Sequence, residues 1–112
     1  TQILLLVRFQ ILNGNDVTLK NGTLNVAAES REKFYILVQN YANLTVEDMT
    51  LDGTNLDKWS ETDGDSYTLS NNSGVVNITG NTNIIANDEG DKAFAFDVCK
   101  YQSYEAPVVN VN

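Results

Sequence analysis

The stretch LTVEDMTLDG at residues 44–53 belongs to an internal repeat. Stretches of nearly the same form are VTLKNGTLNV at 17–26 and VNITGNTNII at 76–85. When the three are aligned on their first residues, an apolar residue recurs two places on and threonine recurs six places on. Self-similarity of this kind is typical of architectures in which each copy of a repeat stacks on the previous one.

Asparagine also recurs, four places before each copy, at Asn13, Asn40 and Asn72. Its amide both donates and accepts hydrogen bonds, and its backbone tolerates the left-handed region, so it suits a turn that is repeated along a stack. We therefore expect these three residues to form a ladder of turns. A weaker fourth copy of the repeat comprises residues 94–98 and 109–111, with Glu105 at the asparagine position.

Each copy contains short runs in which apolar and polar residues alternate, separated by Asn, Gly and Asp. Such runs are typical of β-strands and are too short for helices. In a β-solenoid every coil places its strands directly over those of the previous coil, which accounts for matches at equal offsets. A β-sandwich is the alternative fold, but its successive strands face different partners and give no reason for such matches.

Composition limits the possible functions. The chain has 112 residues, a net charge of −8 and no histidine. The excess of acids argues against nucleic acid as a partner, and the absence of histidine excludes Ser-His-Asp triads. The longest aliphatic run, residues 3–7, is far too short for a membrane span, so we expect no membrane insertion. The single cysteine, Cys99, is expected to be a small buried hydrophobe.

The pattern of apolar-Thr-apolar, a few polar residues and Thr-Leu-Asp-Gly, preceded by an Asn turn, resembles coils of right-handed parallel β-helices of the pectin-lyase-like kind. It is especially similar to repetitive segments of large bacterial secreted and surface proteins. The resemblance implies an extracellular or cell-surface location and often a carbohydrate ligand. We expect residues 1–112 to form one right-handed β-helix domain of about four coils that is a fragment of a longer solenoid.

Acidic residues are concentrated where the copies differ in length. The alignment places nine of the fifteen acids at one corner of successive coils: Glu29, Glu32, Asp57, Glu61, Asp63, Asp65, Asp88, Glu89 and Asp91. Hard oxygen ligands in flexible loops are what calcium accepts, so the seven acids from Asp57 onward are candidate calcium ligands. The alternative is that the loops are solvated turns that keep a flat solenoid soluble.

The predicted outward positions of the strands are mainly threonine and asparagine, which gives no arrangement typical of a catalytic site. They are Gln10, Thr18, Lys20, Thr45, Glu47, Thr68, Asn77 and Thr79, with Asp97 and Lys100 in the weaker coil. Glu47 near Lys20 is more plausible as a cross-strand ion pair than as an acid–base pair. The sequence therefore favours a non-catalytic protein and leaves a polysaccharide lyase or hydrolase as an alternative.

Three aromatic residues are candidate ligand contacts. Trp59 lies in the longest loop among acids, and Tyr101 and Tyr104 precede Pro107 in the loop of the last coil. Each can stack on a sugar ring or serve only as a loop anchor.

We expect a structural or adhesive segment that presents acidic loops, with carbohydrate or another surface protein as the partner. The alternative is a carbohydrate-binding or carbohydrate-degrading module assisted by calcium. An open solenoid end exposes unpaired strand backbone, so end-to-end self-association is also expected if nothing covers the ends.

Overall fold

The computed structural model describes residues 5–29, 33–57, 65–87 and 92–112. In these ranges the secondary structure consists of nine β-strands. They are β1 (Leu5–Ile11), β2 (Asp16–Leu24), β3 (Lys33–Asn40), β4 (Asn43–Asp52), β5 (Ser66–Asn72), β6 (Val75–Thr79), β7 (Asn83–Ile85), β8 (Ala93–Cys99) and β9 (Val108–Val111). Trp59, Glu32, Glu61, Asp63, Asp88, Glu89 and Asp91 lie outside the described residues.

The strands form two stacked sheets in which every pairing is parallel. The first sheet has the order β1-β3-β5-β8, and the second has the order β2-β4-β6-β9 with β7 also paired to β4. The chain passes from one sheet to the other in each coil, so four layers of strands lie one above another. This is the parallel β-helix predicted from the repeat, and it excludes the β-sandwich.

The register of the second sheet follows the sequence alignment. Val17, Leu44, Val76 and Val109 lie opposite one another, as do Leu19, Val46, Ile78 and Val111. Burial alternates along β4, where Leu44, Val46 and Leu51 are fully buried. Full burial of an aliphatic side chain is worth roughly 1.5–3 kcal/mol, so the repeated apolar positions supply the core.

Near the middle of β2 and of β4 the chain bends at a residue whose backbone has a positive φ, in the left-handed region. Asn21 (φ 59°) and Asp48 (φ 51°) occupy adjacent positions in the register, and Gly80 (φ 68°) lies next to Asp48. The Asp48 carboxylate accepts a hydrogen bond from the backbone N–H of Asn81 at 2.8 Å. The bend separates each coil into three runs, as the alternating pattern predicts.

One predicted outward position is wrong. Thr68 is fully buried, and its hydroxyl donates a 2.7 Å hydrogen bond to the carbonyl of Ile85. The same carbonyl accepts the backbone N–H of Gly53 at 2.8 Å. Thr68 therefore connects the first sheet to the end of β7, because its hydroxyl supplies a second donor to the Ile85 carbonyl.

The layer formed by β8 and β9 is more exposed than the layer formed by β5 and β6. β8 and β9 are edge strands, and Phe94, Val98, Val108 and Val111 on them are exposed. Cys99, at the end of β8, is exposed and not a buried hydrophobe, and its thiol donates to Asn72. The expected end-to-end self-association stays a prediction.

Candidate functional site

The predicted ladder of Asn13, Asn40 and Asn72 is wrong: the structure contains one asparagine pair, formed by Asn40 and Asn71. Asn40 lies opposite Asn71, and its Nδ2 donates to Oδ1 of Asn71 at 3.0 Å, with both side chains fully buried. Asn72 instead lies opposite Cys99, and Asn13 is an exposed turn residue. The ladder position in the first coil is occupied by Ile11. The asparagines thus form a buried structural contact and not a surface site.

The shift from Asn72 to Asn71 has a local cause. Asn40 and Asn71 are partners, as are Asn43 and Val75, so the segment between these paired positions contains one more residue in the later coil than in the earlier one. Ser73 takes up the extra length with a left-handed backbone (φ 57°). The sequence alignment matches Asn40 with Asn72, because each lies four residues before its copy of the repeat. The extra residue in the later coil shifts this match by one position, so the structural partner of Asn40 is Asn71.

The acidic loops connect equivalent ends of the two sheets. They lie between β2 and β3, between β4 and β5, and between β7 and β8. Of the predicted calcium ligands, only Asp57 and Asp65 are among the described residues, and Asp65 accepts a 3.0 Å hydrogen bond from the Tyr67 hydroxyl. The described part of the chain contains no group of three or more His, Cys, Asp or Glu placed to hold a metal ion. Calcium binding by these loops stays a prediction.

Tyr101 and Tyr104 lie at the opposite corner, where the chain passes from the first sheet to the second. Their ring centroids are 5.4 Å apart in an edge-to-face arrangement, and Tyr101 packs in the same way against Tyr41 at 5.2 Å. The backbone N–H of Tyr101 donates to the hydroxyl of Ser73 at 2.6 Å, which holds the last loop against the coil before it. We call these three residues, Tyr41, Tyr101 and Tyr104, the tyrosine corner; the name refers to their place in the coil and not to the motif of that name in Greek-key folds.

Two surface cavities border the tyrosine corner. One of about 410 Å³ is lined by all three tyrosines together with Gln10, Leu12 and Asn13. The other, of about 550 Å³, is lined by Tyr41 and Tyr104 together with amide and acidic side chains, including Asn15, Asp16, Asn43 and Glu105. Tyr101 and Tyr104 are a little over a third exposed. The corner therefore combines accessible aromatic rings with side chains that can donate and accept hydrogen bonds.

Sequence reasoning missed Tyr41 as a member of this corner. Burial raises its pKa above that of a free tyrosine, and a hydrogen bond to Asn72 acts in the opposite direction. A signal for Tyr41 was available, because it directly follows the repeated turn residue Asn40. The alignment alone therefore places it at the same corner as the loop of the last coil.

Comparisons with known proteins identify no relative. No family model matches the chain, and neither a curated protein nor a solved structure gives a significant match. Among the described residues there is no helix long and apolar enough to cross a membrane. An assignment of function therefore depends on the fold and on the arrangement of the side chains.

Proposed function

We propose that the chain is a non-catalytic β-helix segment with a structural or adhesive role in a secreted or cell-surface bacterial protein. The observation that carries this proposal is the continuous parallel stack, whose outward polar groups bond from one layer to the next. The pectin-lyase-like resemblance of the repeat supports the bacterial and extracellular setting.

The outer face of the second sheet illustrates the layer-to-layer bonding. Asn43 donates to the Asp16 carboxylate at 2.7 Å, and Asn110 donates to Oδ1 of Asn77 at 2.9 Å. Lys20 and Glu47 form the predicted ion pair at 3.2 Å. Cross-strand pairs of this type stabilise a sheet by roughly 0.2–1 kcal/mol each. These side chains are engaged with one another, which suits a supporting rod better than a reactive surface.

The structural role can be tested by replacing residues 58–64 with a Gly-Ser segment of equal length. A rod that only presents this loop should keep its free energy of unfolding within about 1 kcal/mol, because a segment of equal length leaves the length-dependent entropy of loop closure unchanged. Urea denaturation followed by circular dichroism measures the change. Loss of the folded state in this variant, or release of sugars from polysaccharides by the unaltered protein, would contradict the proposal.

A second candidate function is carbohydrate binding at the tyrosine corner. Aromatic rings next to amide and carboxylate groups present an apolar face together with hydrogen-bonding partners, which suits a sugar ring. Tyr101 and Tyr104 supply exposed rings, and the neighbouring cavities contain Asn13, Asn15 and Asn43. This candidate differs from the carbohydrate site that the sequence predicts around Trp59.

The tyrosine corner is tested by titrating the protein with neutral oligosaccharides chosen from a glycan array. Saturable changes in the ring signals of Tyr101 and Tyr104 in NMR spectra, with no change in the fluorescence of Trp59, are expected. The double variant Tyr101→Ala/Tyr104→Ala should lose binding while retaining its circular dichroism spectrum. A response confined to Trp59 would move the site to the acidic loop.

A further inference from the structure

A groove on the first sheet shares no lining residue with the cavities of the tyrosine corner and meets the acidic loops at Asp65. Its volume is about 500 Å³. Gln39, Ser70 and Asp97 lie side by side across it, since the register pairs Gln39 with Ser70 and Ser70 with Asp97. Asp65, Tyr67 and Asn72 also line it. Three successive coils therefore build one continuous polar surface, which we call the first-sheet groove.

Asp97 is the unusual group of the groove. Its Oδ1 atom is buried and has no hydrogen-bond partner among the described residues. The carboxylate bonds to the side chain of Ser70, which lowers its pKa, but burial has the larger effect and the pKa is raised overall. A buried acceptor without a donor costs roughly 1–3 kcal/mol. Because Asp97 lines the groove, a cationic donor brought to its carboxylate from there would offset part of the cost of burying the charge.

The charge of the groove indicates the type of donor. Asp65 and Asp97 are its two acidic residues, and none of the described residues that line it is Lys or Arg. The whole chain has a net charge of −8, which favours the approach of a cation and opposes that of an anion. An ammonium group has three donors and no acceptor, so it matches a site that is rich in acceptors.

Aromatic and amide groups surround the carboxylates. The Tyr67 hydroxyl donates to Asp65 at 3.0 Å, and its ring is stacked on Phe94 with a centroid distance of 5.5 Å and an interplanar angle of 16°. Aromatic faces attract cations and also pack against the apolar faces of sugars. The side chain of Gln39 provides an amide that can bond to hydroxyl groups, whereas Asn72 is buried and its Oδ1 accepts from the Cys99 thiol.

We propose that the first-sheet groove binds an amino sugar, with the ammonium group of the ligand at the Asp97 carboxylate. Asp65 supplies the second negative charge, and Tyr67 supplies the aromatic surface. Gln39 bonds to a hydroxyl group of the sugar. The groove shares no lining residue with the cavities of the tyrosine corner, so an experiment can refute one of the two binding proposals without refuting the other.

The test uses a fully deacetylated glucosamine tetramer as the probe and its fully N-acetylated counterpart as the matched control. Isothermal titration calorimetry should show binding of the first and at least tenfold weaker binding of the second, because acetylation removes the charge. Backbone NMR shifts should map to β5 and β8. Spermidine, which has ammonium groups but no ring, should bind more weakly than the glucosamine tetramer.

Two variants that each remove one negative charge complete the test. Asp97→Asn should weaken binding of the tetramer about tenfold, the loss expected for one charge-assisted hydrogen bond. Glu29→Gln changes the net charge equally in an exposed loop outside the groove. It should change the affinity for the tetramer by less than about twofold, because an exposed charge contributes little. Equal binding of the acetylated tetramer, equal binding of spermidine, equal losses in the two variants or absence of binding would each overturn the proposal.

Discussion

Asn40 donates a hydrogen bond of 3.0 Å to Oδ1 of Asn71, which lies 31 positions further along the chain and in the next coil. The Oδ1 atom of Asn40 accepts the backbone N–H of Ala42 at 3.1 Å, and Asn71 in turn donates to the carbonyl of Gly74 at 2.9 Å. Both side chains are fully buried. Because these bonds satisfy buried backbone groups of two successive turns, the pair fixes the register of one coil on the next.

Asn71→Ala should therefore destabilise the protein by about 1–3 kcal/mol. The change removes one of the three acceptors of the Asn40 amide and one of the two donors to the Gly74 carbonyl, in a place that water does not reach. Urea denaturation measures the difference. Asn43→Ala is the matched control, since Asn43 is exposed and bonds to Asp16 on the outer face, and it should cost less than about 1 kcal/mol. Equal costs would show that burial of the pair is unimportant.

Gly74→Ala should be destabilising by about 2–3 kcal/mol for a steric reason. A Cβ atom at residue 74 would overlap Nδ2 of Asn40 and lie 2.6 Å from Oδ1 of Asn71 and 2.8 Å from the carbonyl of Ala42. Gly22→Ala provides the control within the same fold, because the nearest atom to its Cβ would be the Met49 sulfur at 3.8 Å. We expect Gly22→Ala to change the free energy of unfolding by less than about 0.5 kcal/mol. Thermal melting of both variants checks the contrast.

The repeat was sufficient to predict the second sheet. Leu44 and Val46 lie opposite the residues with which the alignment matches them, because strict alternation fixes which face of a strand is buried. Lys20 and Glu47 are paired for the same reason. The corner that carries the loops of variable length also follows, since insertions in a stacked repeat occur at one fixed point of the coil.

The first sheet was less predictable, and so was its groove. In β5 neighbouring residues such as Thr68 and Leu69 are both fully buried, so alternation does not distinguish the two faces there. The Asn71 contact depends on the length of one turn, which the sequence pattern does not reveal. The groove combines Gln39, Ser70 and Asp97 from three coils, and only the register of the folded chain brings them together.

Tyr67 should resist ionisation at alkaline pH. Burial, together with the hydrogen bond to Asp65 and the negative charge of that carboxylate, raises its pKa to about 12 from the ordinary tyrosine value of 10.0. The folded pKa is the higher one, so the stabilisation associated with the neutral hydroxyl is fully present below pH 10 and is lost as the pH rises towards 12. Tyr67→Phe should therefore show a smaller fall in melting temperature between pH 10 and pH 12. Ultraviolet absorbance of tyrosinate provides a direct titration, and a normal titration of all five tyrosines would contradict this assignment.

Asp97→Asn should raise the melting temperature at neutral pH although it removes a charged group from the proposed ligand site. Burial raises the pKa of Asp97, so folding disfavours its ionised form and this residue contributes more stability when protonated. That contribution is lost as the pH rises from below the ordinary aspartate range through the raised folded pKa. Asparagine is neutral at every pH, so the difference in melting temperature between variant and wild type should be larger at about pH 7 than at about pH 4. Glu29→Gln, which changes the net charge equally at an exposed loop, should show a much smaller difference. A gain in stability combined with weaker binding of the glucosamine tetramer would indicate a group kept for its ligand. A loss of stability at neutral pH would instead show that the hydrogen bond of the Asp97 carboxylate to Ser70 outweighs the cost of its burial.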